Sequence, residues 1–141
     1  MAGGETDLTK LPPKTEHDDL LSNLPDPKSL PAWLSEADLD FYTGEFTRSG
    51  FRGPINYYRN HDLTWRLTHG APTQIHQPAM FVAGAADGVV MMAAEAIKAL
   101  PASVTDLRIN RMIPGIGHWT QQEAPEAVNA AILEFLHDID G

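Results

Sequence analysis

Two loops hold the side chains best suited to chemistry. Gly84-Ala85-Ala86-Asp87-Gly88 follows a continuous apolar run, and Pro114-Gly115-Ile116-Gly117-His118-Trp119 follows an alternating one. A carboxylate bonded to an imidazole fixes the ring's tautomer and stabilises the imidazolium, which leaves the other ring nitrogen free to act as a general base. Imidazole is the side chain whose ordinary titration range lies nearest neutrality. The glycines around His118 let the backbone turn sharply and approach a substrate. A structural account stands beside the catalytic one. An Asp after a strand is a common helix cap or turn former, and a His in a Gly-rich loop often serves structure alone. Both residues fall just past the ends of consecutive strands, where open parallel sheets bind their ligands, which adds weight to chemistry and leaves the two accounts level on spacing alone.

The elements that must position these loops are readable from periodicity. Ala79-Met80-Phe81-Val82-Ala83 is apolar throughout and ends in Gly84, the pattern of a strand buried on both faces of a parallel sheet. An Ala- and Met-rich helix is expected over 90–100, stopped by Pro101. A second strand is expected over 107–113, with Leu107, Ile109, Arg111 and Ile113 on one face. Pro125 opens a last helix whose stripe is Val128, Ile132, Phe135, Leu136 and Ile139. Strand, helix, strand, helix makes a βαβα unit with a right-handed crossover.

Upstream the pattern is helical. Ser35-Glu36-Ala37-Asp38 reads as a capping box with Asp replacing the usual Glu. Leu39, Tyr42 and Phe46 then share one face, and Ser49-Gly50 supplies the stop. A second helix is expected from Gly53, with Pro54 in its first turn, continuing through residue 67 until Gly70 and Pro72 break it.

Composition sets the class. The 141 residues carry 10 Lys+Arg against 19 Asp+Glu, a formal charge of −9, which opposes binding to a phosphate backbone. Nucleic acid is therefore not an expected partner. With Cys 0, disulfides, thiolate nucleophiles and Cys-ligated zinc are excluded. The start of the chain lacks the pattern of a secretory signal, and no apolar stretch suits a bilayer span. A cytoplasmic location follows as an expectation. Residues 1–29 are rich in acidic side chains and hold Pro12, Pro13, Pro25 and Pro27, so they read as a flexible arm. Leu20, Leu21 and Leu24 could dock that arm.

Several of these segments resemble one family. Gly117-His118-Trp119-Thr120-Gln121-Gln122 followed by Pro125-Glu126-Ala127-Val128-Asn129 is similar to the C-terminal end of soluble epoxide hydrolases of the α/β-hydrolase fold. So are Phe81-Val82-Ala83-Gly84 leading to Asp87, and Phe51-Arg52-Gly53 before Asn56-Tyr57-Tyr58-Arg59-Asn60. The resemblance runs from residue 30 to the C-terminus. It implies a partial α/β-hydrolase fold: a C-terminal βαβα core over 73–141, preceded by the helical tail of a cap domain over 30–72.

The resemblance also implies roles. His118 matches the family's general base, which activates the water that hydrolyses a covalent ester, and Asp87 matches the acid that orients it. Tyr58 matches one of two cap tyrosines that donate hydrogen bonds to the epoxide oxygen, a role suited to a neutral phenol. Tyr57 is the adjacent alternative, but it points about 100° away on a helix, so one of the two faces the pocket. Packing of the helix is the structural account of both tyrosines. Trp119 is expected as a pocket wall or core residue. No cofactor or metal is implied.

The family's nucleophile, an Asp on a strand-to-helix turn flanked by small residues, has no counterpart in the sequence. His69-Gly70-Ala71-Pro72 has the look of the oxyanion-hole motif but follows the cap helices instead of preceding them, so it reads as coincidence. No second cap tyrosine is evident, and Tyr42 sits too near the capping box to match. The expectation is a truncated epoxide hydrolase, turning an epoxide into a vicinal diol only when completed by a nucleophile-bearing half. Two other readings remain. One is a non-catalytic module that completes a sheet or self-associates through its open edge. The other is a different cap-bearing α/β hydrolase such as a haloalkane dehalogenase, against which Tyr58 argues.

Overall fold

The computed structural model describes residues 12–13, 15–19, 22, 24 and 27–140. The chain divides into two compact units, Met1–Phe51 and Arg52–Gly141. In the first, the described part of the expected arm forms short side-chain-capped turns: Asp18 Oδ2 accepts from Thr15 N–H at 2.7 Å, and Asp19 Oδ1 from Ser22 N–H at 2.8 Å. Leu20 and Leu21, two of the three leucines expected to dock the arm, lie outside the described residues.

Helix α1 (Glu36–Ser49) begins on the expected capping box. Ser35 Oγ accepts from Asp38 N–H at 3.2 Å, and Asp38 Oδ2 accepts from Ser35 N–H at 3.0 Å. Bonds from the Ser35 hydroxyl and backbone hold the Asp38 carboxyl below its ordinary 3.8. Gly50, at φ 68°, ends the helix by donating its N–H to Phe46 O at 2.8 Å. Leu39, Tyr42, Phe46 and Phe51 line one concave face, on which the Phe46 and Phe51 rings stack at 4.7 Å.

In the second unit, the helix expected to run unbroken from Gly53 is two: α2 (Arg52–Arg59) and α3 (His61–Thr68). Asn60 separates them at φ −92°, ψ 3°, and it is a residue type that readily leaves helical geometry. His69, first residue of the apparent oxyanion motif, caps the end of α3.

The α/β portion follows: β1 (Ala79–Gly84), α4 (Gly88–Met92), α5 (Ala94–Ser103), β2 (Leu107–Ile113), α6 (Thr120–Glu123) and α7 (Pro125–Asp140). The helix expected over 90–100 differs at both ends. It starts at Gly88 because Asp87 caps it. It kinks at Ala93, where Ala93 N–H to Val89 O (2.9 Å) and Ile97 N–H to Ala93 O (3.0 Å) carry the hydrogen bonding across. Pro101 lies inside the last turn, where it removes one N–H, and Val104 N–H closes the helix on Leu100 O at 2.7 Å.

β1 and β2 pair in parallel, from Met80↔Ile109 to Gly84↔Ile113. A register shift between Ala79 and Met80 leaves Arg108 as an extra residue on β2. Its guanidinium bonds Asp106 Oδ1 at 3.1 Å and Asp138 Oδ2 at 3.0 Å, tying the start of β2 to the end of α7. Helix α7 packs against both strands. Among the described residues, the buried apolar ones are Ala83, Val104, Ile109, Val128 and Ala131.

This core is thinner than the sequence pattern predicts. β1 is buried at Ala83 and Gly84 but half-buried over its first four residues. Of the α7 stripe, Val128 is buried and Phe135 half-buried, whereas Ile132, Leu136 and Ile139 are exposed. Among the described residues β1 has one neighbouring strand, and a two-stranded sheet covers only part of a helix face. No helix among the described residues is long and apolar enough to cross a membrane.

Candidate functional site

The two loops singled out in the sequence meet at the carboxyl ends of β1 and β2. Asp87 follows β1 and is buried, with 8% of its surface exposed, while His118 follows β2 and opens to solvent. His118 Nδ1 lies 3.0 Å from Asp87 Oδ2. A carboxylate only accepts, so the neutral ring carries its proton on Nδ1 and presents the lone pair of Nε2 outward. The catalytic and capping accounts of Asp87 turn out to be compatible. Its other oxygen, Oδ1, accepts from Val89 N–H at 2.8 Å and caps α4. Burial raises the Asp87 carboxyl, but the bonds from Val89 and His118, with the attraction of the imidazolium, outweigh it and hold the group below its ordinary 3.8.

Four further residues seat His118, and two of them, Glu123 and Thr120, have no role that the sequence pattern predicts. Glu123, on α6, accepts Gly117 N–H through Oε2 at 2.7 Å and Trp119 N–H through Oε1 at 3.0 Å. Thr120 is buried; its Oγ1 accepts from Gly84 N–H at 3.2 Å and donates to Gly117 O at 3.1 Å, joining the His118 loop to the end of β1. Gly84 allows that approach, since a Cβ there would lie 2.2 Å from Ile116 O and 2.3 Å from Gly117 O. Gly115 makes the turn after β2 at φ 71°, a conformation open to glycine. The sequence signal for Glu123 and Thr120 was the short Thr-Gln-Gln-Glu segment between His118 and Pro125. Its side chains bond backward into the loop, which periodicity does not reveal.

The remaining candidates sit apart from this pair. Trp119 is exposed, its ring edge-on to His118 with centroids 5.5 Å apart, so it neighbours that imidazole and is no part of the core. Tyr58 and Tyr57, on α2, are 74% and 83% exposed. The Tyr58 ring lies 5.8 Å from that of His61, and no hydrogen bond or ring contact among the described residues joins either tyrosine to His118 or Asp87. A second concavity, lined by Asp62, Trp65 and Arg66, is not at the His118 pair. No group of three or more His, Asp or Glu among the described residues could hold a metal ion.

Comparison with known proteins gives this geometry a context. No family model matches the chain. Epoxide hydrolase B of Mycobacterium tuberculosis is 45% identical over 111 residues, covering 78% of this chain and 31% of the relative. Epoxide hydrolase A of the same organism is 44% identical over 129 residues, covering 87% of this chain and 38% of the relative. Among solved structures, an epoxide hydrolase from an endophytic Streptomyces superposes with a TM-score of 0.77 at 42% identity, over 82% of this chain and 35% of its own. The chain thus spans about a third of the length of the curated relatives it matches. It belongs to the epoxide hydrolases of the α/β-hydrolase fold, matching the C-terminal portion of its members.

Proposed function

We propose that this chain carries the base-and-acid part of an epoxide hydrolase, an enzyme that opens an epoxide with water to give a vicinal diol. The observation that carries the reading is the 3.0 Å contact between His118 Nδ1 and Asp87 Oδ2 at adjacent strand ends. Nε2 of His118 takes a proton from water, the water attacks a covalent ester, and Asp87 stabilises the imidazolium that results. Tyr58 donates its phenolic hydrogen to the epoxide oxygen as the ring opens, with Tyr57 as the less favoured donor, and Trp119 walls the pocket beside His118. The carboxylate that forms the ester and most of the pocket wall come from sequence outside these 141 residues. Residues 30–72 serve as cap and 73–141 as core. The substrate is a small-molecule epoxide, nucleic acid is no partner, and the protein works in the cytoplasm without a cofactor.

The test is complementation. The 141-residue chain alone is expected to open no epoxide above background, and co-expression with the nucleophile-bearing N-terminal portion of a relative is expected to yield diol. His118→Ala should abolish that activity. Diol formed by the chain alone, or surviving in His118→Ala, would overturn the assignment.

A second reading, a sheet-completing or self-associating module, is favoured by one observation: β1 pairs only with β2 among the described residues. A well-behaved monomer by light scattering would count against it.

A further inference from the structure

We infer that Glu123 is a positioning residue for the His118 base, an inference that rests on the reading of His118 as that base. The Glu123 carboxylate accepts the peptide N–H on each side of His118, from Gly117 at 2.7 Å and from Trp119 at 3.0 Å. Glu123 thereby holds the peptide unit that follows His118 and the one that precedes Gly117, while the unit between Gly117 and His118 is held at its carbonyl by Thr120 Oγ1 at 3.1 Å. With the backbone fixed on both sides, the ring has only its own two torsions left, and its bond to Asp87 at 3.0 Å selects among them. Such bonds extend to about 3.2 Å, so a loop displacement of about 0.5 Å takes His118 Nδ1 out of reach of Asp87.

The arrangement needs a carboxylate of this length. As placed, the two N–H donors meet different oxygens of one planar group, and each of those oxygens must offer a lone pair toward its own donor. Gln presents one oxygen and an NH2 that faces the second donor. Asp keeps the charge but is a methylene shorter and cannot span the same two amides from α6. Helix α6 is four residues long, and its placement directly after Trp119 is what brings position 123 back under the loop.

The two substitutions separate geometry from charge. In the 141-residue chain, 15N NMR of the His118 ring reports the ratio of Nδ1–H to Nε2–H tautomers, and amide exchange reports the loop. The Nδ1–H form is expected to dominate in the unsubstituted chain. Glu123→Gln and Glu123→Asp should each speed exchange at Gly117 and Trp119 by about tenfold or more, the loss of one charge-assisted bond. Both should also shift the tautomer ratio toward Nε2–H by about tenfold, with Ile109 and Arg111 on β2 keeping their protection. A ratio that moves in Glu123→Gln but not in Glu123→Asp would overturn the proposal, leaving a through-space charge effect. A ratio unchanged in both while the loop amides loosen would also overturn it, since Glu123 would then be a loop staple only. Melting of the sheet in both variants would do so too, by making Glu123 a residue of the fold at large. None of these readouts involves an epoxide, so their failure is distinct from failure of the complementation test.

Discussion

Asp87 divides one carboxylate between two tasks, and two substitutions separate them. Asp87→Ala removes both the cap on α4 and the partner of His118. Loss of the cap costs about 1 kcal/mol. The bond to His118 contributes about 0.5–1 kcal/mol, because the imidazole side chain is 58% exposed and water screens the pair. The sum is about 1.5–2 kcal/mol, which lowers the melting temperature by about 5–8 °C in a chain of this size. Asp87→Asn keeps an oxygen for Val89 N–H, since Asn caps helices as well as Asp, and should cost only the His118 share. Thermal and urea unfolding followed by circular dichroism measure both. The pH dependence has a defined sign. A carboxyl held below its ordinary 3.8 adds stability that is present above that value and lost as pH falls through the lower folded one. The charge-dependent advantage of the unsubstituted chain over Asp87→Asn should therefore disappear in acid. In the complemented enzyme, Asp87→Asn should also cut turnover by a factor on the order of 10³–10⁴, since an amide favours the wrong imidazole tautomer. An Asp87→Asn variant as unstable as Asp87→Ala would refute the division of the carboxylate.

Substitutions at three further positions probe the loop and the first helix. Gly84→Ala sets a methyl against two backbone oxygens and should destabilise by about 1–3 kcal/mol, while urea unfolding and the His118 tautomer report the forced separation of the loops. Thr120→Val leaves the buried Gly84 N–H without an acceptor and should cost about 1–3 kcal/mol in the same assay, largely restored in Thr120→Ser. Ser35→Ala breaks the capping box of α1 at a cost of about 1 kcal/mol, seen as fraying of α1 in amide exchange at Leu39 and Asp40.

The parts of the fold that sequence revealed are those governed by local chemistry. β1, β2, the capping box at Ser35 and the stop at Gly50 obey period, propensity and turn rules within a few residues of themselves. The start of α4 depends on the side chain of Asp87, and that one oxygen can cap Val89 N–H while the other meets His118 is a property of the folded geometry, with no trace in residue type. The α7 stripe was legible as amphipathic, but how much of it is covered depends on the strands beside it, a non-local quantity. Likewise, Asp87 and His118 stood out by type and place. Glu123 and Thr120 did not, because what they do is bond to backbone in another element, and backbone leaves no residue-type signature.

The missing Cβ of Gly84 has a consequence for transplanting this pair. Main chain meets main chain at that point, so the span between Asp87 and His118 is set before any other side chain is chosen. A designer moving the pair onto another parallel sheet would not begin with Asp87 and His118. The specification would begin with an empty position at the end of the first strand. It would then need a hydroxyl and a carboxylate on the short helix after the second. The carboxylate and the imidazole of the pair could be written in last.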